Sequence, residues 1–114
     1  MNATTTPETI KNPWMTLITK ADMKKLIAAG YNGRKPIVKL FMANITWLVT
    51  GIEDGYFYGY GDIGQGLVEW GSLTNVEELP TIKSGPFYME RDRHFDPKSV
   101  DGVAFTKLTT LSGI

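Results

Sequence analysis

The sequence predicts an α+β fold: an antiparallel β-meander with an N-terminal helix packed on it and a short helical insertion near residues 74–79. Three observations carry that expectation. Capping signals frame one short amphipathic segment that begins at Thr19. From Ile37 onward, β-branched and aromatic runs follow one another at hairpin spacing. Ten of the thirteen aromatic residues lie between Phe41 and Phe95. Burying several of them, at about 25 cal/mol per Å² of apolar surface, anchors a sheet beneath the helix.

The first element is a polar, threonine-rich stretch over residues 1–14, interrupted by Pro7 and Pro13 and read as a flexible leader. Residues 15–114 are then one globular domain, an ordinary size for a single core. Thr19 opens the helix, because Thr19 and Asp22 form a T-x-x-D variant of the capping box. Ile18 with Met23 fits a hydrophobic staple across the same turn. Met23, Leu26 and Ile27 give the apolar stripe, Lys20, Lys24 and Lys25 the wet side, and Gly30 the stop.

Two strands follow the turn Tyr31-Asn32-Gly33, over Ile37–Met42 and Ile45–Thr50, joined by the two-residue loop Ala43-Asn44. Alternation places Ile45, Trp47 and Val49 on one face and Thr46, Leu48 and Thr50 on the other. Glu53-Asp54-Gly55 turns the chain into an aromatic strand, Tyr56–Tyr60. Gly61–Gly66 is a glycine-rich bend, and Leu67–Trp70 is the next strand. Thr74-Asn75-Val76-Glu77 repeats the capping pattern, so a helical turn is expected before Pro80. Pro86–Met89 begins the last strand. Residues 98–114 carry Val100, Val103, Phe105, Leu108 and Leu111 without a period.

Composition excludes several classes. With no cysteine there is no disulfide framework, thiol nucleophile or cysteine-ligated zinc. The opening MNATTTPETIKNP lacks the apolar run of a signal peptide, and no stretch reaches the length of a membrane span. We therefore expect a cytoplasmic protein with no membrane contact.

Zero net charge hides an uneven layout. Residues 1–39 hold seven Lys/Arg against two Asp/Glu, whereas residues 40–82 hold six acids (Glu53, Asp54, Asp62, Glu69, Glu77, Glu78) and no base. Such a segment repels phosphates and suits a basic protein partner. The same lack of cations sets aside base stacking on Tyr56, Tyr58 and Tyr60, so no nucleic acid is expected.

Gly59-Tyr60-Gly61-Asp62-Ile63-Gly64 matches the dinucleotide fingerprint letter for letter. The chemistry needs a helix N-terminus directly after those glycines. Here a second glycine bend and a strand follow, so the glycines are read as a tight bend, bulge or close packing beneath aromatics. No cofactor is expected.

The densest ionisable cluster is Glu90-Arg91-Asp92-Arg93-His94, with Asp96 beside it. On a continuing strand, Tyr88, Glu90, Asp92 and His94 would share one face, and two carboxylates with an imidazole could hold a divalent metal or act as acid and base. Along a straight strand, at about 3.3 Å per residue, the first and last of these ligands stand some 13 Å apart. A bend, or help from Glu69 or Asp62, would be required. The competing reading is an ion-pair network in which Arg91 holds a carboxylate at the sheet edge, and we favour it.

Several short pieces, in order, resemble an uncharacterised bacterial family. They are Leu17-Ile18-Thr19-x-x-Asp22, Val38-Lys39-Leu40-Phe41, Thr46-Trp47-Leu48-Val49-Thr50, Phe57-Tyr58-Gly59, Glu69-Trp70-Gly71-Ser72-Leu73, Glu78-Leu79, Gly85-Pro86-Phe87 and Glu90–Phe95. Members of that family are small single-domain proteins carried on plasmids and integrative mobile elements. The chain departs from the pattern at Arg93, where an apolar residue is usual, which implies an exposed position. The resemblance transfers no catalytic residue. By analogy it implies a protein that binds host proteins, defence systems among them.

The expectation is therefore a non-enzymatic binding protein of a mobile element, a counter-defence inhibitor that docks on a basic host protein. Asp54, Asp62, Glu69, Glu77 and Glu78 would carry the contact. The alternative is a metal-assisted hydrolase or nuclease using Glu69, Glu90, Asp92 and His94.

Overall fold

The computed structural model describes residues 8–114. Chain order gives β1 (Ile10–Lys11), β2 (Thr16–Ile18), helix α1 (Lys20–Ala29), β3 (Val38–Met42), β4 (Ile45–Glu53), β5 (Tyr56–Asp62), β6 (Val68–Asn75), β7 (Lys83–Ser84), β8 (Phe87–Tyr88) and β9 (Glu90–Arg91). The main sheet has five strands in the order β6-β5-β4-β3-β9, all pairs antiparallel. This is the α+β meander, with α1 packed across its β3–β4 half.

The leader divides. Residues 1–7 lie outside the described residues, whereas Ile10–Lys11 pair with β2 and the Asn12 side-chain amide donates to the Met89 carbonyl at 2.6 Å. The chain is thus tied into the fold from residue 10 onward.

Helix α1 starts as its residues dictate. Thr19 Oγ1 accepts the Asp22 N–H at 3.1 Å and Asp22 Oδ2 accepts the Thr19 N–H at 3.0 Å, a reciprocal box that satisfies two orphan donors. Ile18, Met23 and Leu26 are buried, so the staple and the stripe face the sheet. Gly30 ends the helix with φ +61° and donates its N–H to the Leu26 carbonyl.

Both hairpin turns form where expected. Ala43 and Asp54 each take φ of +52°, with Gly55 at +79°, which gives the second turn the left-handed pair that suits a twisted ribbon. Register slips beside Thr50 in β4 and beside Leu73 in β6 mark two bulges. The second capping pattern acts one residue later than read. Asn75 Oδ1 accepts the Glu78 N–H at 2.8 Å, and the helical turn is a 3₁₀ segment at Leu79–Thr81. Thr74 and Asn75 stay in β6, because Thr74 still pairs with Phe57.

The sheet is covered on both faces. On one, α1 and β2 bury Leu17, Ile18, Met23 and Leu26 against Val38, Leu40, Val49, Ile52 and Phe57. On the other, the aperiodic C-terminal stretch forms a second core, with Val100, Phe105 and Leu111 against Leu48, Tyr60 and Val68. Two short 3₁₀ turns, Pro97–Val100 and Phe105–Lys107, aim single residues inward, which explains why no period marks them.

Two polar anchors pin that C-terminal layer. Asp62, 2 % exposed, accepts the Leu111 N–H at 2.8 Å. Lys39, 6 % exposed, donates to the Ser112 and Ile114 oxygens at 3.1 Å each and pairs with Asp92 at 3.1 Å. Tyr31, Tyr58 and Trp70 form an aromatic cluster, with the Arg34 guanidinium 3.5 Å over the Trp70 ring.

Candidate functional site

The Glu90–His94 cluster resolves into ion pairs on two faces. β9 ends at Arg91, and the chain then turns, with the His94 N–H donating to Asp92 Oδ1 at 2.9 Å. Arg91 points beneath α1, where Nη1 bonds the Asp22 carboxylate and, at 2.9 Å, the Leu17 carbonyl. Asp92 points to the opposite face and pairs with Lys39. Arg93 and His94 are exposed. Glu90, Arg91, Asp92, Arg93 and His94 border an open cleft of about 440 Å³ with Trp14 and Phe41.

Glu69 lies on β6 at the far side of the sheet, so it cannot join Glu90, Asp92 and His94. Among the described residues, no group of three His, Asp or Glu side chains stands close enough to hold a metal ion. The ion-pair reading describes two residues of the cluster: Asp22–Arg91 ties the helix start to β9, and Lys39 on β3 joins Asp92, just past β9, to the Ser112 and Ile114 oxygens of the C-terminal layer. Among the described residues, Glu90, Arg93 and His94 form no ion pair.

Three carboxylates in these networks are held below the ordinary range. Burial raises each one. At Asp22, hydrogen bonds from Arg91 and Thr19 outweigh it. At Asp62 the Gly64 and Leu111 N–H groups and the Thr110 hydroxyl do so, and at Asp92 the His94 N–H and Lys39. A depressed folded value stabilises the fold above the unfolded value of about 4 and is lost as pH falls through the folded value. Circular-dichroism melts should therefore give a steady midpoint above about pH 5 and a steep fall below about pH 4. A midpoint unchanged down to pH 3 would contradict this.

The acids of the middle segment do not form one face. Asp54 sits in the β4–β5 turn, and Glu77 and Glu78 follow β6 beside it, where the Val76 N–H donates to the Gly55 carbonyl at 3.0 Å. Those three share one end of the sheet. Glu69, opposite Gly61, is toward the other end of β6. Asp62 is buried under the C-terminal layer, so it is a structural anchor unable to contact a partner.

What composition did not point to is a groove beside Glu69. Helix α1 covers β3 and β4 but leaves the upper part of β5 and β6 open on that face. A concavity of about 500 Å³ results, lined by Trp47, Gly61, Ile63, Leu67, Glu69 and Leu73 among others. Its floor is glycine: a Cβ at Gly61 would stand 3.5 Å from Leu73 Cδ2 and 3.6 Å from Trp47 Cδ1, so both side chains lean over it. Of the dinucleotide-like glycines, Gly61 lies beside Trp47, Gly59 packs closely on the Leu48 backbone and Gly64 turns the bend with φ +83°, and no helix directly follows them. Gly71, opposite Gly59, has open space above it. Ile63 and Leu67 are 52 % and 59 % exposed and together give the groove an apolar rim. A signal for this site was present in the apolar Ile63 and Leu67 inside an otherwise polar glycine bend.

A family model described as a protein of unknown function, DUF2958, matches residues 14–107. The chain belongs to the DUF2958 family. The match takes in α1, every strand from β2 to β9, the ion-pair networks at β9 and the groove, while the Leu111–Ile114 anchor lies past its end. Comparison with curated proteins and with solved structures found no match to this DUF2958 chain. Among the described residues, no helix is long and apolar enough to cross a membrane.

Proposed function

We propose that the protein is a small non-enzymatic binding module whose acidic β5–β6 half docks on a basic host protein. One observation carries the reading: an open groove with an exposed apolar rim lies in the segment that holds acids and no Lys or Arg. Arg34 stacks on the Trp70 ring on the other sheet face, so on the groove face the apolar rim and the Glu69 carboxylate together favour a protein surface bearing cations, since charge complementarity sets partner choice and encounter rate. Glu69 serves the groove, and Asp54, Glu77 and Glu78 make a second acidic group at the other end of the same half. The setting we assign is the cytoplasm of a bacterial host, with the protein acting for a mobile element as an inhibitor of a defence system.

The test compares the wild type with a charge-reversed variant, Glu69→Lys with Glu77→Lys and Glu78→Lys, as bait in host lysate. The expected result is a protein kept by the wild type, lost by the variant, and re-formed as a complex from purified components at low salt but weakened at high salt. Equal retention by both baits would sink the acidic-surface reading.

A further inference from the structure

The two edges of the main sheet are treated differently. At β9 the chain closes its own edge: the Arg91 N–H donates to Met15 Sδ at 3.3 Å, and Asn12 takes the Met89 carbonyl. At β6 nothing comparable occurs. Among the described residues, the backbone of Val68–Asn75 bonds only to β5, so its outer row of N–H and C=O groups is unpaired. No proline or lysine interrupts it; the devices that blunt natural edges are limited here to the Glu69 charge and the bulge at Leu73, which leaves Val68–Ser72 in unbroken register. The groove opens directly beside this edge.

We propose that the partner segment is an extended strand that adds to β6, presenting on the groove face a Lys or Arg and, two residues away, a large apolar side chain. The pattern follows from alternation along β6. Glu69 and Gly71 point to the same face, so an added strand sets two of its own side chains, also two residues apart, beside them. Beside Glu69, a cation finds the groove's one charged lining residue. Beside Gly71 there is no side chain, and an apolar group can lean inward over Gly71 toward Trp47 and Leu73. Main-chain hydrogen bonds would then supply affinity and these two subsites specificity, as in other strand-addition complexes.

A second copy of the chain is a poorer occupant. The β6 strand carries Glu69 as its only charge, so two copies paired through it would bring no cation to either groove. The inference rests on the binding-module reading and narrows it to one edge.

The probe is a seven-residue capped peptide with lysine, leucine and lysine alternating with threonine and valine, titrated into labelled protein and followed by NMR. We expect saturable shifts and slowed amide exchange confined to Val68–Asn75, with a shift of the Trp47 indole. A peptide carrying glutamate for lysine should not bind. Glu69→Lys and Gly71→Val should each weaken binding at least about fivefold. A Cβ at Gly71 meets nothing within 4 Å, so that variant keeps its fold.

Binding that leaves the β6 amides unchanged overturns strand addition, as does no binding at all. Protection of β6 that grows with protein concentration and needs no peptide would also overturn it, in favour of a second copy. If the complex with the basic host protein forms and β6 stays unprotected, strand addition fails while the acidic-surface reading stands.

Discussion

Gly51→Ala is expected to cost about 3 kcal/mol or more, the upper end of overpacking penalties, and to lower the melting midpoint by roughly 12 °C. The reason is a backbone-on-backbone contact. An added Cβ at Gly51 would lie 2.0 Å from the Gly30 carbonyl oxygen and 2.9 Å from its carbon. Neither can swing aside as a side chain would. Gly30 is the cap of α1, and its own φ of +61° together with the bond to the Leu26 carbonyl fixes where that oxygen points. Next to it, the Tyr31 N–H donates to Glu53 Oε1 at 3.0 Å, which ties the helix exit to the end of β4. To admit one methyl, α1 must move off the sheet, and Met23 and Leu26 lose their packing with it. Gly71→Ala is the matched control: the same change on an open surface should shift stability by less than about 0.5 kcal/mol. Urea unfolding of the two variants separates them, and equal midpoints would show that the helix is not seated on Gly51.

Local signals in the sequence carried most of the fold. The T-x-x-D box, the Gly30 stop and the turns at Ala43-Asn44 and Glu53-Asp54-Gly55 each act within four residues and form at the predicted places, although the first turn puts its left-handed φ of +52° on Ala43, a residue that disfavours it. Alternation in β4 also holds: Trp47 and Val49 face α1, while Leu48 and Thr50 face the C-terminal layer, Thr50 accepting the Trp70 indole N–H at 3.2 Å. Interactions that close over long sequence distances were not legible. Nothing near Val100, Phe105 or Leu111 announces that they cover a sheet face, since each makes its contact alone from an irregular segment. For the same reason Asp62 reads as one surface acid among six, although alternation from Leu48's partner Tyr60 already sets it on the face that the C-terminal layer covers.

The ionisable cluster shows the limit in another way. Alternation alone carries a straight strand through Glu90, Asp92 and His94. The chain instead turns at Asp92, whose own side chain accepts the His94 N–H, the short-range bonding that makes Asp a turn residue. Arg93, off the family pattern, is exposed as that departure implied. The charges nearest the core, Arg91 and Asp92, are paired with Asp22 and Lys39, residues 69 and 53 positions away in the chain. No spacing rule reaches that far.

Asp62→Ala should remove about 2–3 kcal/mol, because it strips a buried acceptor from two backbone donors at once. The Gly64 N–H, 2.7 Å from Oδ1, sits in a turn near solvent and can recruit water. The Leu111 N–H, 2.8 Å from Oδ2, is buried and has no such recourse. Its loss frees the segment that shields Leu48, Tyr60 and Val68. A midpoint lower by roughly 8–12 °C is expected, along with fast amide exchange at Leu111 while the β4 and β5 amides stay protected, the pattern of local opening. Asp62→Asn keeps one acceptor but turns an NH₂ toward one donor, so it should lose about half as much. Because Asp62 titrates below the ordinary range, both variants should also flatten the acid-side fall in stability. An alanine variant with wild-type melting and a still-protected Leu111 would show that apolar contacts alone hold the C-terminal layer. The groove beside Glu69 opens on the opposite face, so peptide binding there should survive Asp62→Ala at temperatures where the sheet is intact, and separate a structural acid from a binding one.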